Sequence, residues 1–120
     1  EFVAGMFGKN ESPIDVAIRE AKEEANLTIS ADDIHYVMKY LSSPGGASEC
    51  IHLYAANVNS ENMGGVYGLP EEGEDILVHV VSREDALNLL AQGKISNAAT
   101  IIGLQWLQLN YKKLQQIGFN

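Results

Sequence analysis

The stretch GKNESPIDVAIREAKEEANL (8–27) combines a helix start signal with a dense set of carboxylates. Ser12 and Asp15 can cap the start and a proline suits the first turn, so we predict a helix over Pro13–Ala25. Asn26 follows at a position where a residue in the left-handed conformation often ends a helix. Apolar residues at three- and four-residue spacing predict the buried face, namely Ile14, Ala17, Ile18, Ala21 and Ala25.

Three glutamates lie together in the second half of this predicted helix. Glu20 and Glu24 are one turn apart and project from the same face, with Glu23 beside them. A solvated charged face is the ordinary interpretation, because like charges at this spacing cost only roughly a few tenths of a kcal/mol. A hard divalent cation, by contrast, needs several carboxylate oxygens on a rigid support, and a helix face supplies that. The spacing of the surrounding residues decides between these interpretations.

The rest of the chain is patterned as strands followed by helices. Segments rich in β-branched and aromatic residues predict three strands, IHYVMKYLSS (34–43), CIHLYAANV (50–58) and DILVHVVS (75–82). Before the third strand lies NSENMGGVYGLPEEGE (59–74), a long glycine-rich loop of a kind that often carries function or is disordered. Two helices follow, in SREDALNLLAQG (82–93) and SNAATIIGLQWLQLNYKKLQQ (96–116). This order predicts an α+β domain.

Length and composition limit what the chain can be. With 120 residues it fits one domain, residues 1–120. A net charge of −8, with Arg19 and Arg83 as the arginines, disfavours binding to nucleic acid. Neither a membrane-spanning apolar run nor a signal-peptide pattern is present, so we expect a cytoplasmic protein with no membrane partner. Cys50, the one cysteine, is predicted to be reduced and buried.

The spacing around the first helix matches a known signature. Gly5 is followed after five residues by Glu11, and after seven more by REAKEEANL (19–27). This resembles the Nudix box, in which a glycine, five residues, a glutamate and seven residues precede REUXEEXGU, with U apolar. Asn26 stands where the family has glycine, and asparagine tolerates the left-handed conformation better than most residues.

The resemblance covers most of the chain and points to the ADP-ribose pyrophosphatases of the Nudix superfamily. VAGM, SPGGASE, GLPEEGEDI, VHVVSREDA and NAATIIGLQWLQL are similar to that subgroup, in order. Pro44 lies 17 residues beyond Leu27, a residue or two further than is usual there. The implied fold is the Nudix α/β/α sandwich with a mixed sheet. Because Phe2–Ala4 look like the end of a strand whose beginning is absent, we expect the N-terminal strands to be missing.

The resemblance implies a magnesium site in which manganese can substitute. Glu20 and Glu24 match metal ligands of the helix, the backbone carbonyl of Ala4 adds an oxygen, and Glu74 in the long loop is a further ligand. Glu23 is expected to join or support them.

Other residues are implied to shape the site or to act on water. Arg19 is expected to pair with Glu23 or Glu11 and so to hold the loop and helix. Gly5 and Glu11 are structural in the motif, with a metal role for Glu11 left open. Glu72 matches the general base that deprotonates the attacking water. Since Glu71, Glu74 and Asp75 are close in sequence, the identity of the base is open to a shift in register.

The substrate and reaction also follow from the resemblance. We expect Mg²⁺-dependent hydrolysis of the diphosphate of ADP-ribose to AMP and ribose 5-phosphate, with substrate contacts from Glu49, Met6 and Ser43. The alternatives are a Nudix hydrolase of another nucleoside diphosphate derivative, such as a nucleotide sugar or NADH, and a catalytically silent domain that binds a nucleotide or a protein. The family also implies a homodimer for the full-length protein.

Overall fold

The computed structural model describes residues 1–119 and has an α+β fold, as the sequence predicted. The helices are α1 (Pro13–Ala25), α2 (Arg83–Ala91) and α3 (Ala98–Gln116). The strands are β1 (Ile34–Leu41), β2 (Cys50–Ala56), β3 (Gly65–Tyr67) and β4 (Ile76–Val78). Short 3₁₀ turns occupy Ala31–Asp33 and Pro70–Glu72.

Helix α1 begins and ends where the sequence predicted. The Ser12 hydroxyl accepts a hydrogen bond from the backbone N–H of Asp15 at 3.2 Å, which satisfies one of the free donors of the first turn. At the other end Asn26 is left-handed, with φ 54°. The N–H of Leu27 reaches back to the carbonyl of Ala21 at 3.0 Å and closes the helix. The Lys22 ammonium donates to the Asn26 side-chain oxygen at 2.8 Å.

The buried face of α1 differs slightly from the predicted one. Ala21 and Ala25 are buried, and Val16 joins them. The polar residue Glu20 is also only 9% exposed. A carboxylate this deeply placed on an otherwise apolar face carries a desolvation cost unless something compensates it.

Two regions differ from the predicted strand pattern. The segment 75–82 was predicted to be one strand, but β4 contains only Ile76–Val78. Its partner β3, which the prediction missed, lies inside the glycine-rich loop and pairs with it in antiparallel register, Val66 opposite Leu77. Gly64 and Gly68 flank β3 with φ of 110° and 111°. A ladder cannot extend beyond its partner, so β4 is as short as β3.

Residues 1–119 do not form the mixed sheet that the resemblance implied. β1 pairs with β2 and β3 pairs with β4, giving two two-stranded sheets of neighbouring strands. Such pairing of sequential strands is favoured by short connections. Residues 1–8 have no regular secondary structure, so the predicted strand end at Phe2–Ala4 is absent from the described chain.

The chain divides into two compact units. One contains Val3–Met38 and Tyr54–Val80, where α1 packs against β3 and β4. The other contains Glu1–Phe2, Lys39–Leu53 and the chain from Val81 onward, where α2 packs against α3.

The α2–α3 unit has its own small core and a polar clamp. Ala86, Leu104 and Leu114 are buried in it. The Arg83 guanidinium lies 3.7 Å from the centre of the Tyr111 ring and donates to the Gln108 side chain at 2.8 Å. Within residues 1–119, no helix combines the length and the apolar character needed to cross a membrane. Cys50 is a free thiol, as expected, but it is half-buried rather than buried.

Candidate metal centre

Three carboxylates converge in the α1–β3–β4 unit. One oxygen each from Glu20, Glu24 and Glu74 lies within 4.8 Å of the other two. Glu20 and Glu24 come from successive turns of α1, so the helix fixes their spacing. Glu74 comes from the loop before β4, and the packing of the β3–β4 pair against α1 brings it to the helix. Carboxylate oxygens on rigid elements are the donor set that hard divalent cations take.

Gly5 allows the Glu20 carboxylate to lie where it does. A Cβ atom added at Gly5 would overlap the carboxyl group of Glu20. The backbone at position 5 therefore passes directly over this side chain, which accounts for much of its burial. Any residue with a side chain at position 5 would displace the carboxylate from the cluster.

The preceding residue holds the second helix carboxylate. The backbone N–H of Ala4 donates to Glu24 Oε2 at 3.0 Å. A hydrogen bond to an ionised carboxylate is stronger than one between neutral groups. The segment Ala4–Gly5 thus contacts both helix carboxylates. The N–H of Ala4 donates to Glu24, and the absence of a side chain at Gly5 lets the Glu20 carboxylate lie against the backbone.

The electrostatics of the cluster favour a cation. The pKa of Glu20 is raised above its ordinary value, first by burial and then by the negative charges of Glu23 and Glu24. Arg19 opposes this rise, and Glu74 adds to it. A negative charge near a buried carboxyl group raises the pKa of that group, and a divalent cation at the same place would lower it.

Arg19 is paired with two carboxylates. Its Nη2 lies 3.7 Å from Glu11 Oε1 and 3.6 Å from Glu20 Oε1. Glu11 in turn accepts a hydrogen bond from the backbone N–H of Gly8 at 3.0 Å. The expected alternatives were Glu23 and Glu11; among residues 1–119 the ion pairs of Arg19 are with Glu11 and Glu20. Since both Arg19 and Glu11 are well exposed, their ion pair contributes orientation more than stability.

The loop that carries Glu74 is tied to α1 and to itself. The N–H of Gly68 donates to the backbone carbonyl of Glu23 at 3.1 Å. The N–H of Leu69 donates to Glu74 Oε2 at 2.9 Å. Gly68 and Leu69 were not predicted as site residues, because the glycine-rich sequence 59–74 has the composition of one irregular loop. The valine and tyrosine between two glycine positions were the available signal of a short strand ending at Gly68.

The remaining predicted residues lie in more open surroundings. Glu72 ends the 3₁₀ turn Pro70–Glu72 and is exposed, as is Glu71 beside it. Met6 is 92% exposed. Ser43 and Glu49 belong to the other compact unit, on the connection between β1 and β2, and both are exposed. The roles predicted for these residues stay predictions.

The sequence of this chain matches a known family over most of its length. A family model described as the NUDIX domain matches residues 1–102. The chain therefore belongs to the NUDIX domain family, as its box motif predicted.

The chain is also similar to individual proteins with curated names. The chain is 50% identical over 116 residues to a protein of Haemophilus influenzae named "ADP-ribose pyrophosphatase", covering 97% of this chain and 52% of the relative. A protein of the same name from Escherichia coli K12 is 48% identical over 115 residues, covering 96% of this chain and 54% of the relative.

A more distant relative carries another name. A Yersinia enterocolitica protein named "GDP-mannose pyrophosphatase" is 31% identical over 110 residues, covering 92% of this chain and 56% of the relative. The chain spans about half the length of the curated relatives that it matches.

Proposed function

We propose that this chain is the catalytic Nudix domain of an Mg²⁺-dependent enzyme that hydrolyses the diphosphate of ADP-ribose to AMP and ribose 5-phosphate. The observation that carries the proposal is the convergence of Glu20, Glu24 and Glu74 to within 4.8 Å. The substrate is supported by 50% identity to a relative named for ADP-ribose. The relatives are about twice as long as this chain, so the activity is proposed for the whole protein.

The donor set fits magnesium. Mg²⁺ takes oxygen ligands and is commonly held by one or two carboxylates together with the phosphates of a substrate. Manganese has similar ligand preferences and is the proposed substitute. When bound, the cation supplies positive charge against the diphosphate oxygens and makes water more acidic. Burial, and then the negative charges of Glu23 and Glu24, raise the pKa of Glu20. A cation bound at this place would stabilise the ionised carboxylate and so oppose that rise.

Separate residues of this chain are proposed to bind the cation and to accept the proton. Glu20, Glu24 and Glu74 hold the cation, with the carbonyl of Ala4 as a further oxygen ligand. Glu72 accepts the proton of the attacking water; it is exposed on the turn two residues before Glu74. That position suits a base, since a loop that closes over substrate completes the site only when substrate is present.

Two further residues support the helix side of the site. Arg19 orients Glu11 and Glu20 through the ion pairs described above, and Glu23 supports the loop through its backbone carbonyl. Catalysis then rests on positioning and charge neutralisation, and no side chain of the protein needs to form a bond to phosphorus.

Substrate contacts and assembly extend beyond the metal centre. Glu49, Ser43 and Met6 are proposed to contact the substrate. A homodimer of the whole protein and a cytoplasmic location are likewise proposals, supported by the family and by the composition of the chain.

One alternative substrate class has a specific observation in its favour. The relative named for GDP-mannose is 31% identical, so a nucleotide sugar is the second candidate. The same carboxylates would serve it, because the reacting bond is again a diphosphate. Discrimination between the two substrates would come from contacts to the groups on either side of that bond.

A substrate panel tests the proposal directly. The whole protein is incubated with Mg²⁺ and, separately, ADP-ribose, ADP-glucose, GDP-mannose, NADH or a nucleoside triphosphate, and the nucleoside monophosphate released is quantified. We expect the highest kcat/KM with ADP-ribose and no release when chelator replaces the metal. A preference for a sugar nucleotide would support the second candidate. Release from none of these substrates would support a catalytically silent domain.

A further inference from the structure

The C-terminal turn of α1 offers a carbonyl that the helix itself does not use. In a continuing helix the carbonyl of Glu23 would accept from the N–H of Leu27. Here that N–H bonds to Ala21 instead, at 3.0 Å, because the helix closes there. The N–H of Gly68 takes the carbonyl of Glu23 at 3.1 Å. The carbonyl of Glu23, which receives no bond from Leu27 at this helix end, therefore anchors the loop at Gly68.

Gly68 is also in close contact with a proposed metal ligand. A Cβ atom added to Gly68 would lie 2.6 Å from the Cβ of Glu74 and 3.1 Å from its backbone carbon and oxygen. Its φ of 111° is one that other residues rarely adopt. The next residue continues the contact, because the N–H of Leu69 donates to Glu74 Oε2 at 2.9 Å. The N–H of Glu74 returns a hydrogen bond to the carbonyl of Leu69 at 3.1 Å.

We propose that Gly68 is a positioning residue of the metal centre, joining the end of α1 to the Glu74 carboxylate. Its N–H fixes the loop to the same helix that carries Glu20 and Glu24, and its missing side chain lets Glu74 approach. Gly68 thereby helps to fix the position of Glu74 relative to Glu20 and Glu24. This inference rests on the proposed metal site.

Gly64 provides a matched control for the strain of a side chain at a left-handed position. Its φ is 110°, and it precedes β3 just as Gly68 follows it. A Cβ atom there would meet only the carbonyl oxygen of Val78, at 3.7 Å, which is an ordinary contact. Alanine at position 64 therefore introduces the same backbone strain without touching Glu74.

The test measures binding of Mn²⁺ alone, by electron paramagnetic resonance of the free ion, in the wild-type protein, Gly68→Ala and Gly64→Ala. Urea unfolding reports the stability of each variant. We expect both variants to lose stability from the left-handed backbone, and Gly68→Ala to lose more because its methyl group also meets Glu74. The Mn²⁺ dissociation constant should rise about tenfold or more in Gly68→Ala and less than about twofold in Gly64→Ala. Equal affinity in the two variants would overturn the proposal.

A second pair of variants shows whether Gly68 acts through Glu74. Glu74→Gln keeps the shape of the side chain and the steric overlap but removes the anionic ligand. Adding Gly68→Ala to Glu74→Gln should change the Mn²⁺ dissociation constant by less than about twofold, because the displaced side chain no longer carries the negative charge that attracts the cation. A further tenfold loss in the double variant would show that Gly68 acts by another route and would overturn the proposal.

A measurement on the wild-type protein covers the case in which Gly68→Ala does not fold. The amide resonance of Leu69 should shift during Mg²⁺ titration with the same midpoint as the cation's binding, because its acceptor is the Glu74 carboxylate. A Leu69 amide that is unchanged at saturating Mg²⁺ would contradict the inference. If the wild-type protein binds neither Mn²⁺ nor Mg²⁺, the proposed function fails together with it; binding without the Gly68 effect overturns the inference alone.

Discussion

Two regions of the molecule supply the candidate metal centre, and they hold their carboxylates by different means. Helix α1 carries Glu20 and Glu24 on successive turns, so their separation follows from the helix itself. The loop before β4 carries Glu74, whose position depends on one hydrogen bond from the N–H of Leu69, one to the carbonyl of Leu69, and the attachment of Gly68 to α1. The first arrangement survives most changes elsewhere in the chain, whereas the second depends on a few contacts between distant residues.

The largest effect is expected on the helix side. Glu24→Gln should lower turnover of ADP-ribose by about a hundredfold or more, because the variant loses an anionic ligand of the proposed cation. The fold should persist, since Glu24 is only half-buried. Steady-state kinetics with circular dichroism would measure both. Glu84→Gln, an exposed carboxylate in the first turn of α2, is the control, and near-normal turnover in Glu24→Gln would contradict the metal assignment.

The second effect tests the loop. Glu72→Gln should slow the chemical step by about a hundredfold, as expected for loss of a general base, while leaving Mn²⁺ affinity within about twofold. Single-turnover kinetics and metal titration separate these quantities. Glu71→Gln is the control from the same turn. Equal damage from Glu71→Gln would move the base by one residue.

The third effect concerns the backbone at Gly5, which lies against the Glu20 carboxylate. Gly5→Ala should raise the Mn²⁺ dissociation constant about tenfold, because its methyl group would occupy the space of the Glu20 carboxyl. Gly45→Ala is the matched control, since nothing lies within 4 Å of a Cβ atom there. Isothermal titration of both variants would measure the difference. Unchanged affinity in Gly5→Ala would mean that the backbone at position 5 moves freely away from α1.

The smallest effect concerns the end of α1. Asn26→Ala should lower the free energy of unfolding by about 1 kcal/mol, because alanine tolerates the left-handed conformation poorly and loses the hydrogen bond from Lys22. Asn26→Gly should be close to the wild type, as the glycine of the family motif suggests. Urea unfolding of the two variants would measure this. A larger loss in Asn26→Gly than in Asn26→Ala would contradict a conformational role for position 26.

Local features were predictable wherever neighbouring residues supply the partners. The Ser12 cap and the left-handed Asn26 both involve residues within a few positions of each other, so α1 was placed correctly at both ends. The same holds for α2, whose Ser82 hydroxyl accepts from the N–H of Asp85 at 3.0 Å. The strand in 75–82 was predicted too long because its length is set by β3, a partner whose three residues lay hidden among glycines.

The candidate site was predictable only in part for the same reason. From the residues alone, the two helix carboxylates and the acidic turn were equally consistent with a solvated surface. Only the resemblance to the Nudix box predicted that they form a set of metal ligands. Neither source indicated that the N–H of Gly68 would donate to the carbonyl of Glu23, nor that the side chain of Arg19 would pair with that of Glu20. Both contacts depend on how the loop and the side chains settle after the elements have packed.

The sequence by itself determined the acidic helix, its two ends and the membership of the family, because helix periodicity, caps and motif spacing are all properties of residues near one another in the chain. The resemblance to the family implied that Glu74 shares a ligand set with Glu20 and Glu24, but only the tertiary structure brings the three together. It alone shows that Gly5 leaves space for Glu20 and that Gly68 leaves space for Glu74. The physical reason is that contacts between distant residues arise from the packing of β3 and β4 on α1. Packing of that kind depends on many weak contacts acting together and leaves no short motif in the chain.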